Sequence, residues 1–291
     1  MDRISFPHLG IVLEHVGRSF SVFGFEIAYY GVVIALAMLA GIAVATQTAK
    51  RTGQDPDQYW SFALIAILCS VAGARIYYVA FSWEYYGAHP MEIFDLRGGG
   101  LAIYGGVIAG VLTGICYAKA AHIPVLLLLD TACTGLITGQ SIGRWGNFFN
   151  REAFGEYTDS LLAMELPVDA VNASDITAKM QTHMTKVSGI DCIRVHPTFL
   201  YESLWNLGVL AVLLFVTWKG KKRFDGQVFF LYLLGYGLGR AWIEGLRTDQ
   251  LCIPGTAVAV SQVLSVCLVI GAVCALAAEA LKNRKMHDQS R

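Results

Sequence analysis

Apolar residues run along the chain in seven long blocks, at roughly 26–47, 58–81, 101–119, 123–143, 198–218, 227–246 and 256–280. Each is about twenty residues long, the length a helix needs to cross the hydrocarbon of a bilayer. The blocks predict an all-α integral membrane protein with seven transmembrane helices. Residues 1–22 lack the basic start and apolar core of a cleavable signal peptide, so the first helix is expected to stay in the protein. One long polar interruption, about 151–197, is rich in Asp, Thr and Ser; its fragment 160–186 alternates too weakly to assign a strand or a helix. No repeat divides the chain, which reads as a single polytopic membrane domain over 1–291.

Composition agrees with the pattern. Hydrophobic residues make up 55% of the chain and charged ones only 15%, against about 25% charged in an ordinary soluble domain. The net charge is zero but unevenly spread. With the N-terminus outside, the inner segments hold Lys50, Arg51, Lys119, Lys219, Lys221, Lys222, Arg223, Lys282, Arg284, Lys285 and Arg291. They hold only Asp55, Asp57, Asp225, Glu279 and Asp288 as acids. Eleven cations against five acids inside leaves 22 − 11 = 11 against 22 − 5 = 17 elsewhere. The positive-inside rule then predicts N-terminus out and C-terminus in, with 151–197 as an outer, periplasmic insertion. The seven cysteines include no CxxC pair. Cys192 and Cys252 both fall in outer loops, where a disulfide is open to them; two free thiols is the plainer reading.

Glycines recur at four-residue steps inside the blocks: Gly106, Gly110 and Gly114; Gly135, Gly139 and Gly143; Gly235 and Gly239. Small residues so spaced let helix backbones approach closely, and packing is the plain expectation. The glycines flanking Tyr104, at 98–100 and 105–106, leave close approach of a ligand equally open.

Two polar clusters interrupt the apolar pattern. GRWGNFFNRE at 143–152 closes the fourth block and carries Arg144, Asn147, Asn150 and Glu152. GYGLGRAWIEGLR at 235–247 closes the sixth. There Tyr236, Arg240, Glu244 and Arg247 fall at about 0°, 40°, 80° and 20° around a helix, one polar stripe on an apolar rod. Snorkelling and an Arg240–Glu244 helix pair would account for part of this stripe. The first cluster reads equally well as a capped helix end. Yet an arginine at mid-bilayer costs about 2.5–3.5 kcal/mol, and four aligned polar residues point to function. Weaker signals are Asp130, which needs a partner, Arg75, which reads as a snorkelling anchor, and Glu202, which complements the dipole of the fifth helix. Tyr29 and Tyr30 open the first block, where aromatic-belt residues are expected. Guanidinium forks match phosphate oxygens, so two arginines on different helices point to an anionic target, a phospholipid headgroup being the nearest phosphate. No Walker loop, HExxH or GxSxG occurs, which leaves nucleotide-binding, zinc-protease and serine-hydrolase readings without support.

With YYG at 29–31, GGGLAIYGG at 98–106 and HPTFLYE at 196–202 beside those clusters, the chain resembles the phosphatidylglycerol–prolipoprotein diacylglyceryl transferases over essentially its whole length. That resemblance implies transfer of the diacylglyceryl group of phosphatidylglycerol to the lipobox cysteine of a prolipoprotein signal peptide, with a thioether formed and glycerol phosphate released. It implies a bacterial cytoplasmic (inner) membrane location, with the active site towards the outer leaflet. It places the family's two essential arginines on Arg144 and Arg240, and its first-cluster groups on Asn147, Asn150 and Glu152. The remaining matches are Tyr30, Tyr236 and Glu244. Some members carry a histidine between the glycines, proposed as the base for the thiol; this chain has Tyr104 there. A phenol with an ordinary pKa of about 10 is a poor base at neutral pH. No metal, soluble cofactor or nucleic acid is implied.

The chemistry is alkylation of a thiolate, whose free pKa is about 8.5. Cationic groups would lower that pKa and stabilise the departing phosphate. Arg144 and Arg240 are expected to do both, with Tyr104 and Asn147 positioning groups by hydrogen bonds, and Glu152 or Glu244 open as proton acceptor. A transporter or channel for an anionic solute is the rival reading. It would need polar residues continuing to the inner face, but the inner halves of the last two blocks are nearly all apolar.

Overall fold

The computed structural model describes residues 2–96, 99–253, 255–256 and 258–289, with side chains to residue 282. Gly98 of the glycine-rich motif, Ala257 of the seventh predicted block, Arg291 and the side chains of Arg284, Lys285 and Asp288 lie outside the described residues. The long helices are α1 (Tyr29–Arg51), α2 (Pro56–Phe81), α4 (Ile103–Ala120), α5 (Val125–Asn150), α7 (Thr198–Trp218), α8 (Gln227–Glu244) and α9 (Val260–Gln289). Two short helices, α3 (Trp83–Tyr86) and α6 (Ala178–Thr182), lie in the connections. Six of these helices are long and apolar enough to cross a membrane: α1, α2, α4, α5, α7 and the Val260–Lys282 part of α9. Helix α8, with Gln227, Arg240, Glu244 and several glycines and tyrosines among its 18 residues, is too polar to join that set.

Local chemistry starts and spaces the helices. Asp55 Oδ1 accepts the Asp57 N–H at 3.0 Å, with Pro56 in the first turn of α2, which satisfies one otherwise orphaned amide. Helices α1 and α5 cross so closely that a Cβ on Gly135 would lie 2.4 Å from the Gly41 carbonyl oxygen. A Cβ on Gly105 would lie 2.4 Å from that of Gly73, where α4 crosses α2. Gly235 and Gly239 receive Val209 and Trp205 of α7 in the same way. These glycines serve packing, as small residues do at membrane helix crossings.

The weaker polar signals also resolve into structure. Asp130, buried in α5, accepts the N–H groups of Gly226 and Phe229 at 2.7 and 2.8 Å and pairs with Lys222 at 2.9 Å. Arg75 is buried rather than snorkelling, and its guanidinium donates to the carbonyls of Glu92, Ile93, Gly99 and Gly100, which ties the 90–100 connection to α2.

Outside the helices, the 151–197 insertion holds β5 (Met164–Pro167), β6 (Thr185–Val187) and β7 (Ile190–Val195). The N-terminal strands β1 (Ile4–Phe6) and β2 (Ile11–Leu13) join them in an antiparallel sheet of order β2-β1-β5-β7-β6. Register is set by Ser5 opposite Glu165 and by Met164 opposite Val195. Ile4, Phe6, Leu166, Met180, Ile193 and Val195 form its core together with Phe148 of α5 and Phe199 of α7. The predicted blocks are therefore helical, six of them long and apolar enough to span, and strands add a layer outside the helices. A separate hairpin, β3 (Ser19–Val22) and β4 (Phe25–Ala28), leads directly into α1. All seven cysteines are free. Cys192 is buried in β7 opposite Pro167 and Thr185, whereas Cys252 bridges to Ala259 before α9, so the two do not pair.

Candidate active site

Three helices converge on one carboxylate. Glu202 stands in the second turn of α7 and is buried. Its Oε2 lies 2.7 Å from Arg144 Nη2 of α5, and its Oε1 lies 3.3 Å from Arg240 Nη1 of α8. Arg240 Nη2 also lies 2.7 Å from Glu244 Oε2, but off the N–H direction, so this contact is ionic without a formed hydrogen bond. Helix α8 ends at Glu244, and the turn beyond it folds Arg247 back to 3.9 Å from both Glu202 and Glu244. Arg247 then forks onto Asp249 at 2.9 and 2.7 Å. Burial raises the Asp249 carboxyl, but the Arg247 fork outweighs it and holds Asp249 below the usual carboxylate range. The polar stripe expected on the sixth helix is thus a cluster that α7 completes.

A second group adjoins it through Arg144. Glu152 Oε1 accepts from Asn147 Nδ2 at 2.9 Å and from Asn150 Nδ2 at 3.3 Å. Tyr30 of α1 packs its ring where a Cβ on Gly146 would lie 2.6 Å away, within one helical turn of Arg144 and Asn147. Gly146 thus admits Tyr30 to the site. Tyr236 stacks on Tyr232 at 5.7 Å, one turn below Arg240. Tyr104 stands apart: it is half exposed in the first turn of α4, and no hydrogen bond joins it to the arginine cluster among the described residues.

The cluster is balanced in charge. Arg144, Arg240 and Arg247 face Glu202, Glu244 and Asp249, three cations to three anions. Arg144, however, has Glu202 as its one ion-pair partner among the described residues, with 20% of its side chain exposed. A guanidinium carries five N–H donors, so most of those on Arg144 remain for another partner. In the sequence Glu202 is one of the weaker signals, explained by the helix dipole with substrate contact left open, and it closes the HPTFLYE motif.

Apolar helices of membrane-crossing length, with half-buried arginines and buried carboxylates gathered at one end of the bundle, define a helical membrane protein. The chain belongs to the prolipoprotein diacylglyceryl transferase family, whose model matches residues 18–278. It is 40% identical over 266 residues to the phosphatidylglycerol–prolipoprotein diacylglyceryl transferase of Clostridioides difficile, covering 91% of this chain and 96% of that one. The enzyme of the same name from Finegoldia magna is 39% identical, over 88% of this chain and 92% of its own. That of Bacillus cytotoxicus is 40% identical, over 91% and 90%. The chain is therefore a bacterial membrane transferase, which decides against the transporter reading.

Proposed function

We propose that this transferase moves the diacylglyceryl group of phosphatidylglycerol to the lipobox cysteine of a prolipoprotein. The cysteine sulfur bonds to the glycerol carbon, the bond from that carbon to the phosphate oxygen breaks, and glycerol phosphate leaves with the electron pair. The observation that carries the reading is the meeting of Arg144 and Arg240 on Glu202, with donors of Arg144 left over. A phosphate arriving there gains charge-assisted, forked hydrogen bonds in a water-poor setting. The same guanidinium groups favour thiolate over thiol. The thiol proton passes to a carboxylate of the site, Glu244 or Glu152. Asn147, Asn150, Tyr30 and Tyr236 shape the headgroup pocket, and Tyr104 donates a hydrogen bond to the headgroup or the leaving oxygen.

In this reading α8 also spans, sixth in chain order, and brings the total to seven; it packs against α5, α7 and α9, and the chain is one polytopic domain. The shared core of the sheet with Phe148 and Phe199 supports that unity. The basic 219–223 loop and the C-terminal end of α9 face the cytoplasm, and the site opens to the outer leaflet of the bacterial inner membrane. Purified protein, labelled phosphatidylglycerol and a lipobox peptide test the activity. A thioether-linked product is expected; none forming where an established transferase succeeds would end the reading.

A further inference from the structure

Helix α8 begins without a cap of its own. Its N-cap is Gly226, at φ 99°, and no side chain of the segment caps the first turn. The acceptor comes instead from another helix. The buried Asp130 carboxylate of α5 takes the Gly226 N–H on Oδ2 at 2.7 Å and the Phe229 N–H on Oδ1 at 2.8 Å. Two charge-assisted bonds at the positive end of a helix dipole make a strong tie between two buried elements. Leu126, also on α5, closes the joint, because a Cβ on Gly226 would lie 3.3 Å from its methyl groups.

From this tie the two helices run the same number of residues to their arginines. The interval from Asp130 to Arg144 is 144 − 130 = 14 residues, and from Gly226 to Arg240 it is 240 − 226 = 14. At 1.5 Å per residue each path is about 21 Å long. Gln140 meets Tyr232 at 3.1 Å along the way, and the paths close on Glu202 at the far end. We infer that Asp130 is a positioning residue for the transfer reaction: by capping α8 in trans it fixes the register of α8 against α5 and so sets Arg240 beside Arg144. Lys222 balances the Asp130 charge from the loop and plays no part in the register. A slip of one residue would carry Arg240 by 1.5 Å and turn it by about 100°, a displacement of the size that costs about a hundredfold in rate.

This inference rests on the two-arginine reading above, and the test separates the two. Transfer is measured for Asp130→Ala, Asp130→Ser, which keeps one acceptor, and Lys222→Met, each alone and with Arg240→Lys. Asp130→Ala is expected to lower kcat about tenfold to a hundredfold, with Asp130→Ser between it and the parent and Lys222→Met within about threefold. With Arg240→Lys already present, the Asp130→Ala penalty should shrink below about threefold, because the fork whose place the tie sets is gone. An equal penalty in both backgrounds would reduce Asp130 to general stability. Parental kcat in Asp130→Ala, or an equal loss in Lys222→Met, would also overturn the inference. If Asp130→Ala does not accumulate in the membrane, the Asp130→Ser pair of measurements decides by the same criteria. Full activity of Arg144→Ala and Arg240→Ala would instead remove the underlying reading.

Discussion

Glu202 carries both guanidinium groups on its two oxygens, so removing its charge frees both arginines at once. Glu202→Gln should lower transfer by about tenfold to a hundredfold, read as kcat on labelled phosphatidylglycerol; unchanged kcat would mean that the arginines hold their places without it. Arg144→Ala and Arg240→Ala should each abolish or nearly abolish transfer while leaving insertion intact, since each removes a charge-assisted contact of roughly 1.5–3 kcal/mol. Lysine should rescue only in part, because a point charge does not fork. Tyr104, outside the cluster's hydrogen bonds, distinguishes two chemistries. As a hydrogen-bond donor to substrate, Tyr104→Phe costs about tenfold to a hundredfold and Tyr104→His adds no new limb to the pH–rate profile. As a base, Phe stops the reaction and His speeds it near neutral pH. The donor outcome is the one expected.

At the scale of elements, the helix crossings leave little room. Gly135→Val should destabilise the α1–α5 pair by about 1–3 kcal/mol or more, because its Cβ would meet the Gly41 carbonyl, and thermal unfolding in detergent would show it. The junction of the sheet with α7 should be sensitive to acid. Burial, and then the Lys179 cation, push the His196 pKa below its ordinary value. A histidine shifted down is bound neutral in the fold, so its penalty is absent above about pH 6.5 and grows as pH falls through the lowered value. Proteolysis within 160–186 should therefore quicken as the pH is lowered from 7 to about 5, and less so in His196→Gln. The spans were legible because apolar runs of membrane length report themselves locally. Strands β1 and β2 were not, being three residues each, with β1 joined to the sheet by a partner far along the chain. Glu202 was half legible: one carboxylate near a helix start has a local explanation, and only the approach of α5 and α8 makes it a hub.

For the whole molecule, the proposed orientation predicts that an impermeant thiol reagent on intact cells reaches single cysteines placed within 160–186 and none placed within 219–223. The reverse pattern would put the site on the cytoplasmic side. The pairing of Ser5 with Glu165, a contact spanning 160 residues, also sets an order in time. Strand β1 leaves the ribosome before α1, yet its partner β5 follows only after α1, α2, α4 and α5 have been made. At about 5–20 residues per second, that interval is about eight to thirty seconds. Throughout it Ile4 and Phe6, later buried, have only the exposed strand β2 beside them. For that interval the early strand of the newborn chain is open to chaperones and proteases, and it is sheltered only when the outer insertion arrives to receive it.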